Sequence, residues 1–136
     1  MKKFLLLLIV MMLNLNVRAN DDNYYEKLIY AIAHVESSHN PKAVSPSGKH
    51  VGYLQISKGC VDECNKLLNA KKYTYKDRYD KQKSIEMFYI IQQHYNPNGD
   101  IHLALRIWNE GTSVVGRKYR MTSYMKRVLR VYDKIK

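Results

Sequence analysis

Residues 34–57 read HVESSHNPKAVSPSGKHVGYLQIS, and their two halves follow different rules. Upstream, Tyr25, Leu28, Ile29 and Ile32 recur at helical spacing, and Glu36 continues the stripe four residues past Ile32. Asn23 with Glu26 has the form of a capping box at the start of that helix, and Asn40-Pro41 predicts its end. Ser45-Pro46-Ser47-Gly48 is turn chemistry. VGYLQI, residues 51–56, favours β structure and predicts a small strand or extended piece. A carboxylate is thus expected on the buried side of a helix, at its C-terminal end, with a turn and a short extended segment directly after it.

Further along, Cys60, Val61, Cys64, Leu67 and Leu68 form a second helical stripe beginning after Ser57. NAKKYTYKDRY, residues 69–79, is polar and aromatic and predicts a loop. Asp80 can cap a third helix carrying Ile85, Phe88, Ile91 and Tyr95; NPNG, residues 96–99, breaks it. Asp100 can cap a fourth, with Ile101, Ala104, Leu105 and Trp108 on one face, and Gly111 stops it. Tyr124, Val128, Val131 and Ile135 mark a last helix. The fold class is mainly α, with a small extended or β-hairpin segment after the helix that carries Glu36.

Residues 1–19 read as a signal peptide. Lys2 and Lys3 precede a ten-residue apolar core, Phe4 to Leu13, and Val17-Arg18-Ala19 fits a cleavage site. An uncleaved anchor is the alternative, although the apolar run is short for a bilayer. No cysteine follows Ala19, so no lipoprotein signal is seen. The expected mature domain is 20–136, an exported protein of the periplasm, cell envelope or exterior. Its formal charge falls from +11 to +8 on processing. That charge favours anionic surroundings such as cell-wall polymers, lipopolysaccharide or a membrane surface, or else serves solubility. No nucleic-acid motif appears, and no nucleic-acid partner is expected. Cys60 and Cys64 lie one helical turn apart, which makes a bridge between them awkward; packed thiols are the first reading and a strained disulfide the second. They have no further His/Cys cluster, so no metal is expected, and no cofactor.

Burial and the negative end of a helix both disfavour the charged form of Glu36. A glutamic acid still protonated near neutrality can donate a proton to a leaving oxygen. Alternatively, Glu36 is a buried glutamate satisfied by a lysine, or one that reaches solvent. In the loop after it, Ser37 and Ser45 are short donors, and Gly52 lets the backbone approach a ligand closely. Gln55, between apolar neighbours, would suit a sugar hydroxyl or acetamido group, or it pins a loop. Tyr53 and Trp108 can stack on pyranose faces or belong to the core. Asn109 can bind a substrate or cap its helix.

At these residues the sequence resembles the soluble-lytic-transglycosylase (SLT) family, relatives of goose-type lysozyme. ESSHNPKAVSPSG, from Glu36, resembles the family segment E-S-x-x-N-P-x-A-x-S, and GYLQI resembles G-L-M-Q. IWNEG resembles A-Y-N-A-G, YMKRVLRVY the closing Y-V-x-x-V helix, and RYDKQKSIEMFYIIQQHY the middle helix. The resemblance runs from Tyr25 to about Tyr132. It implies a lysozyme-like helical domain that cleaves the β-1,4 bond from N-acetylmuramic acid to N-acetylglucosamine in peptidoglycan. Glu36 would be the single catalytic acid and base. Ser37, Ser45, Gly52, Tyr53, Leu54, Gln55, Trp108, Asn109 and Tyr124 would bind the glycan strand. The expected partner is peptidoglycan, acted on by a monomer in wall remodelling, envelope assembly, conjugation or phage machinery. A hydrolytic muramidase is the alternative, with Asp62, Glu63 and Glu110 as candidates for a second carboxylate. So is a non-catalytic glycan-binding or assembly protein of the same fold. The sequence departs from the pattern at four places. Three residues rather than two separate Gly48 from Gly52, Trp108 replaces a tyrosine, Ser84 stands for an asparagine, and Thr122 is two rather than three residues before Tyr124.

Overall fold

The fold follows from how each apolar stripe is started and stopped. In the computed structural model, which describes residues 24–136, helix α1 spans Glu26–Ser37 and buries Leu28, Ile29, Ala31, Ile32 and Ala33. Asn23, the expected cap, lies outside the described residues, as does the stretch 1–19 expected to be a leader. The helix stops before Asn40-Pro41. Ser38 and His39 turn left-handed, at φ 52° and 63°, and their amides donate to the carbonyls of His34 and Ala33 (both 3.2 Å). Those bonds take up carbonyls that a helix end leaves orphaned, and they outweigh the strain of two non-glycine left-handed residues.

Strand β1 (His50–Val51) pairs antiparallel with β2 (Ile56–Ser57), His50 opposite Ser57 and Val51 opposite Ile56. Val44 makes one further bridge to Val51. VGYLQI is therefore not one strand. Val51 ends the first strand, Ile56 begins the second, and Gly52–Gln55 is the turn between them. Helix α2 (Lys58–Leu68) starts where the Ser57 hydroxyl accepts from the Cys60 amide (3.2 Å). The segment expected as a loop contains a short 3-10 helix, Tyr75–Tyr79, with a Thr74/Asp77 capping box.

Asp80 caps α3 (Lys81–Tyr95) by accepting from Lys83 N (2.9 Å), and Asp100 caps α4 (Ile101–Glu110) by accepting from Leu103 N (3.0 Å). Both caps fall at the residues the sequence predicts. A second 3-10 turn, Thr112–Val114, leads on toward α5 (Ser123–Tyr132), which Thr122 caps. Phe88 of α3 is wholly buried at the centre, with Tyr25 and Trp108 rings at 5.5 and 5.0 Å. Leu28, Ile32, Leu54, Met87, Leu105 and Met125 close the core around it. Each such side chain contributes about 1.5–3 kcal/mol by leaving water. Helix α5 packs chiefly on α1, and α2 on α3. The domain is mainly α with a small hairpin after α1, as the sequence predicts.

Candidate active site

Glu36 sits in the last turn of α1, half-buried. Burial pushes its carboxyl above the ordinary glutamate value, while the Tyr124 hydroxyl and the Arg127 guanidinium, both from α5, pull it part of the way back. The burial effect is the larger, because a carboxylate loses hydration there that a phenol and one exposed cation replace only in part. Tyr124 is itself buried, and its hydroxyl is driven well up by burial and by the Glu36 charge. Among the described residues the phenol oxygen makes no hydrogen bond of ordinary geometry, although it lies close enough to Glu36 to act on its charge. Tyr124, expected among the glycan-binding residues, thus lies in the α1–α5 seam beside the acid.

The turn between the strands is tied down on three sides. The Ser37 hydroxyl lies 2.8 Å from Tyr53 O and 3.2 Å from Ala33 O, with one proton to give between them. The Trp108 indole N–H donates to Leu54 O (3.1 Å). The Gln55 amide donates to Gly52 O (3.0 Å) and Ala43 O (3.2 Å), while Gln55 holds φ 52°. Hydroxyl, indole and amide, all expected to meet sugar, are spent on backbone carbonyls of one turn. Ser45 likewise holds its own loop, accepting from His50 N (3.2 Å). Leu54 is wholly buried, and Tyr53 nearly so.

Gly52 is demanded by protein rather than by ligand. At φ +85°, a Cβ built there would fall 1.8 Å from the carbonyl oxygen of Arg78. The guanidinium of Arg78 reaches the same region from beneath. It is buried, and it donates to Tyr75 O (2.8 Å), Ile56 O (3.2 Å) and Lys49 O (3.5 Å). Sequence reading missed this residue: an arginine in a polar stretch gives no sign that two of its three partners are carbonyls more than twenty residues away.

A cleft of about 420 Å³ opens beside the turn, with Gln55, Trp108 and Asn109 on its walls. Glu63 and Glu110 line it too. Glu63 accepts from the Tyr95 hydroxyl, and Glu110 pairs with Arg120 (3.0 Å) and the buried Arg106 (3.7 Å). Asp62 instead accepts from the exposed Tyr75 hydroxyl (3.0 Å). Glu36 does not line this cleft; it is joined to it through Ser37 and the turn. The Tyr53 ring faces a separate cleft of about 660 Å³, where Lys81 Nζ stands 4.9 Å from its centre. Of the expected binding residues, the structure therefore brings Gln55, Trp108 and Asn109 to one cleft and Ser37, Tyr53 and Leu54 to its support.

Cys60 and Cys64 are free thiols in contact, and hydrogen bonding to Cys64 holds the Cys60 thiol well above its ordinary value. Among the described residues no group of three or more His, Cys, Asp or Glu side chains is placed to hold a metal. Among the same residues, no helix is long and apolar enough to cross a membrane.

No curated protein and no solved structure matches the chain. The family model of the transglycosylase SLT domain matches residues 14–128, most of its 136 residues. The half-buried glutamate, the hairpin placed after its helix and that match agree, and the chain belongs to the SLT transglycosylase family, the lysozyme-like lytic transglycosylases of peptidoglycan.

Proposed function

We propose that the protein is an exported lytic transglycosylase that cleaves the N-acetylmuramic acid β-1,4 N-acetylglucosamine bond with Glu36 alone as acid and base. Residues 1–19 are its leader and 20–136 the domain that acts in the periplasm, envelope or exterior. The observation that carries the reading is the environment of Glu36, which favours the protonated carboxyl. That proton goes to the glycosidic oxygen as the C1–O bond breaks. The carboxylate left behind takes the proton of the muramoyl C6 hydroxyl, whose oxygen bonds to C1 and closes a 1,6-anhydro ring. Atoms balance without water, and Glu36 ends protonated.

Between Glu36 and Asp62 the chain has no carboxylate, so the hairpin supplies none to direct a water molecule. On the cleft wall Asn109 offers its amide to the glycan and Gln55 only its carbonyl oxygen, its N–H groups being spent on the hairpin, while Tyr124 stands beside the acid. Glu63 and Glu110 on that same wall favour the second reading, a hydrolytic muramidase. Both are engaged by neighbouring side chains, which argues against it. Mass spectrometry of products from purified sacculi separates the two. Anhydromuramoyl ends are expected; reducing ends would establish hydrolysis.

The pH profile has a definite sign. A general acid works only while protonated, so the rate falls as pH rises through the Glu36 pKa. Burial raises that pKa, and the falling limb is expected on the alkaline side of an ordinary glutamate's. Turbidity loss of sacculi across a pH series measures it. A limb at the position of a solvated glutamate would show that the carboxyl is not desolvated in the working enzyme.

A further inference from the structure

Charge is unevenly spread along this chain. Residues 117–136 carry eight Lys or Arg against Asp133 alone, a net of +7 out of +11. All eight are exposed. Helix α5 turns Tyr124, Met125 and Val128 into the core, which leaves Lys126, Arg127 and Arg130 within an arc of roughly 100° on the opposite side. Lys134 continues that face past the helix end. Among the described residues none of these four forms an ion pair. In the segment leading into the helix, Arg120 is turned aside to Glu110, while Arg117 and Lys118 are exposed beside three large apolar side chains. Val115, Tyr119 and Met121 are 42, 51 and 40 % exposed. One-sign charge so thinly balanced costs self-repulsion, and apolar side chains left in water cost hydration. Both costs are relieved by one kind of surface, an anionic layer with an apolar interior.

We propose that the basic face of α5, with the Val115–Met121 segment beside it, docks on a bilayer containing anionic phospholipid. Lys126, Arg130 and Lys134 meet the head groups, and Tyr119 and Met121 enter the interfacial layer. A soluble polyanion would use the cations equally well but would gain nothing from valine, tyrosine and methionine. Docking of this kind holds whether or not Glu36 is the acid, since none of these three cations touches it.

The test is sedimentation of the full chain with vesicles of phosphatidylglycerol and phosphatidylcholine, against phosphatidylcholine alone. Binding is expected only to the anionic vesicles and should weaken as salt rises. The segment 1–19 carries Lys2, Lys3 and Arg18 in every variant alike, so the loss of binding in a variant of α5, and not the lipid preference alone, isolates the basic face. At roughly fivefold per basic side chain, K126Q/R130Q/K134Q should bind on the order of 100-fold more weakly. Cleavage of soluble glycan fragments by that variant should stay unchanged. Y119S/M121S should weaken vesicle binding but leave retention on heparin unaltered. Equal binding to both vesicle types, or an unaffected triple variant, would overturn the proposal. Heparin binding as tight as vesicle binding, with no effect of Y119S/M121S on either, would overturn it in favour of a soluble polyanion.

Discussion

Replacing Glu36 by Gln is expected to reduce release from sacculi by about three orders of magnitude, the middle of the range that a positioned proton donor contributes. Glutamine keeps the shape of the side chain and loses the proton. Stability should move the other way. The folded state holds the Glu36 proton more tightly than the unfolded chain, since burial raises the folded pKa. The folded state therefore binds more protons between the two pKa values, and stability falls as pH rises through that interval. Above that interval the charged carboxylate is a cost to the fold, and E36Q removes it. The variant should be inactive with an unfolding midpoint equal to or above that of the wild type, read by thermal or urea denaturation. Near-normal cleavage would remove Glu36 from the chemistry. No release by either protein would instead indicate a glycan-binding or assembly role for the fold.

The second large effect is expected at Gly52, where Ala should destabilise the domain by about 3–5 kcal/mol. The left-handed backbone alone costs a residue with a Cβ about 1–2 kcal/mol. The remainder comes from overlap with Arg78 O, which is backbone and cannot rotate away. Gly48 is the internal control. Its φ is +72°, but nothing lies within 4 Å of the added carbon, so Gly48→Ala should cost only about 1 kcal/mol. Urea denaturation of both variants gives the comparison. Equal losses would show that the close approach of residues 52 and 78 does not exist in solution. Against a typical total of about 5–15 kcal/mol, the Gly52 change removes a large share of the stability.

Much of the fold was legible because its signals are local. Asp80 and Asp100 cap the helices they precede, and helical spacing finds the buried stripe of α1 and the buried pairs Phe88/Ile91 of α3 and Ala104/Leu105 of α4. The end of α1 was legible only to the nearest turn: Asn40-Pro41 announces a stop, but the helix closes earlier, at Ser38 and His39, which adopt left-handed backbone without glycine. VGYLQI reads as a strand because Tyr53 and Leu54 favour β structure, yet those side chains serve the core and the separate cleft while their backbone turns. At the candidate site, sequence nominates Glu36 and its neighbours but does not show what each neighbour touches. Gln55 and Trp108 reach carbonyls that only the folded hairpin presents. Arg78 escapes notice altogether, since its partners Lys49 and Ile56 come from a different part of the chain. Tyr124 is placed correctly on the last helix, but its position opposite Glu36 depends on how α5 crosses α1.

The contact between Gly52 and the Arg78 carbonyl also limits how this scaffold can be rebuilt. The hairpin and the 75–79 turn fit together as one casting, with no slack for a single extra carbon. A hairpin transplanted from a relative to alter glycan preference would have to bring its own version of that turn, or the recipient would reject it before any question of specificity arose.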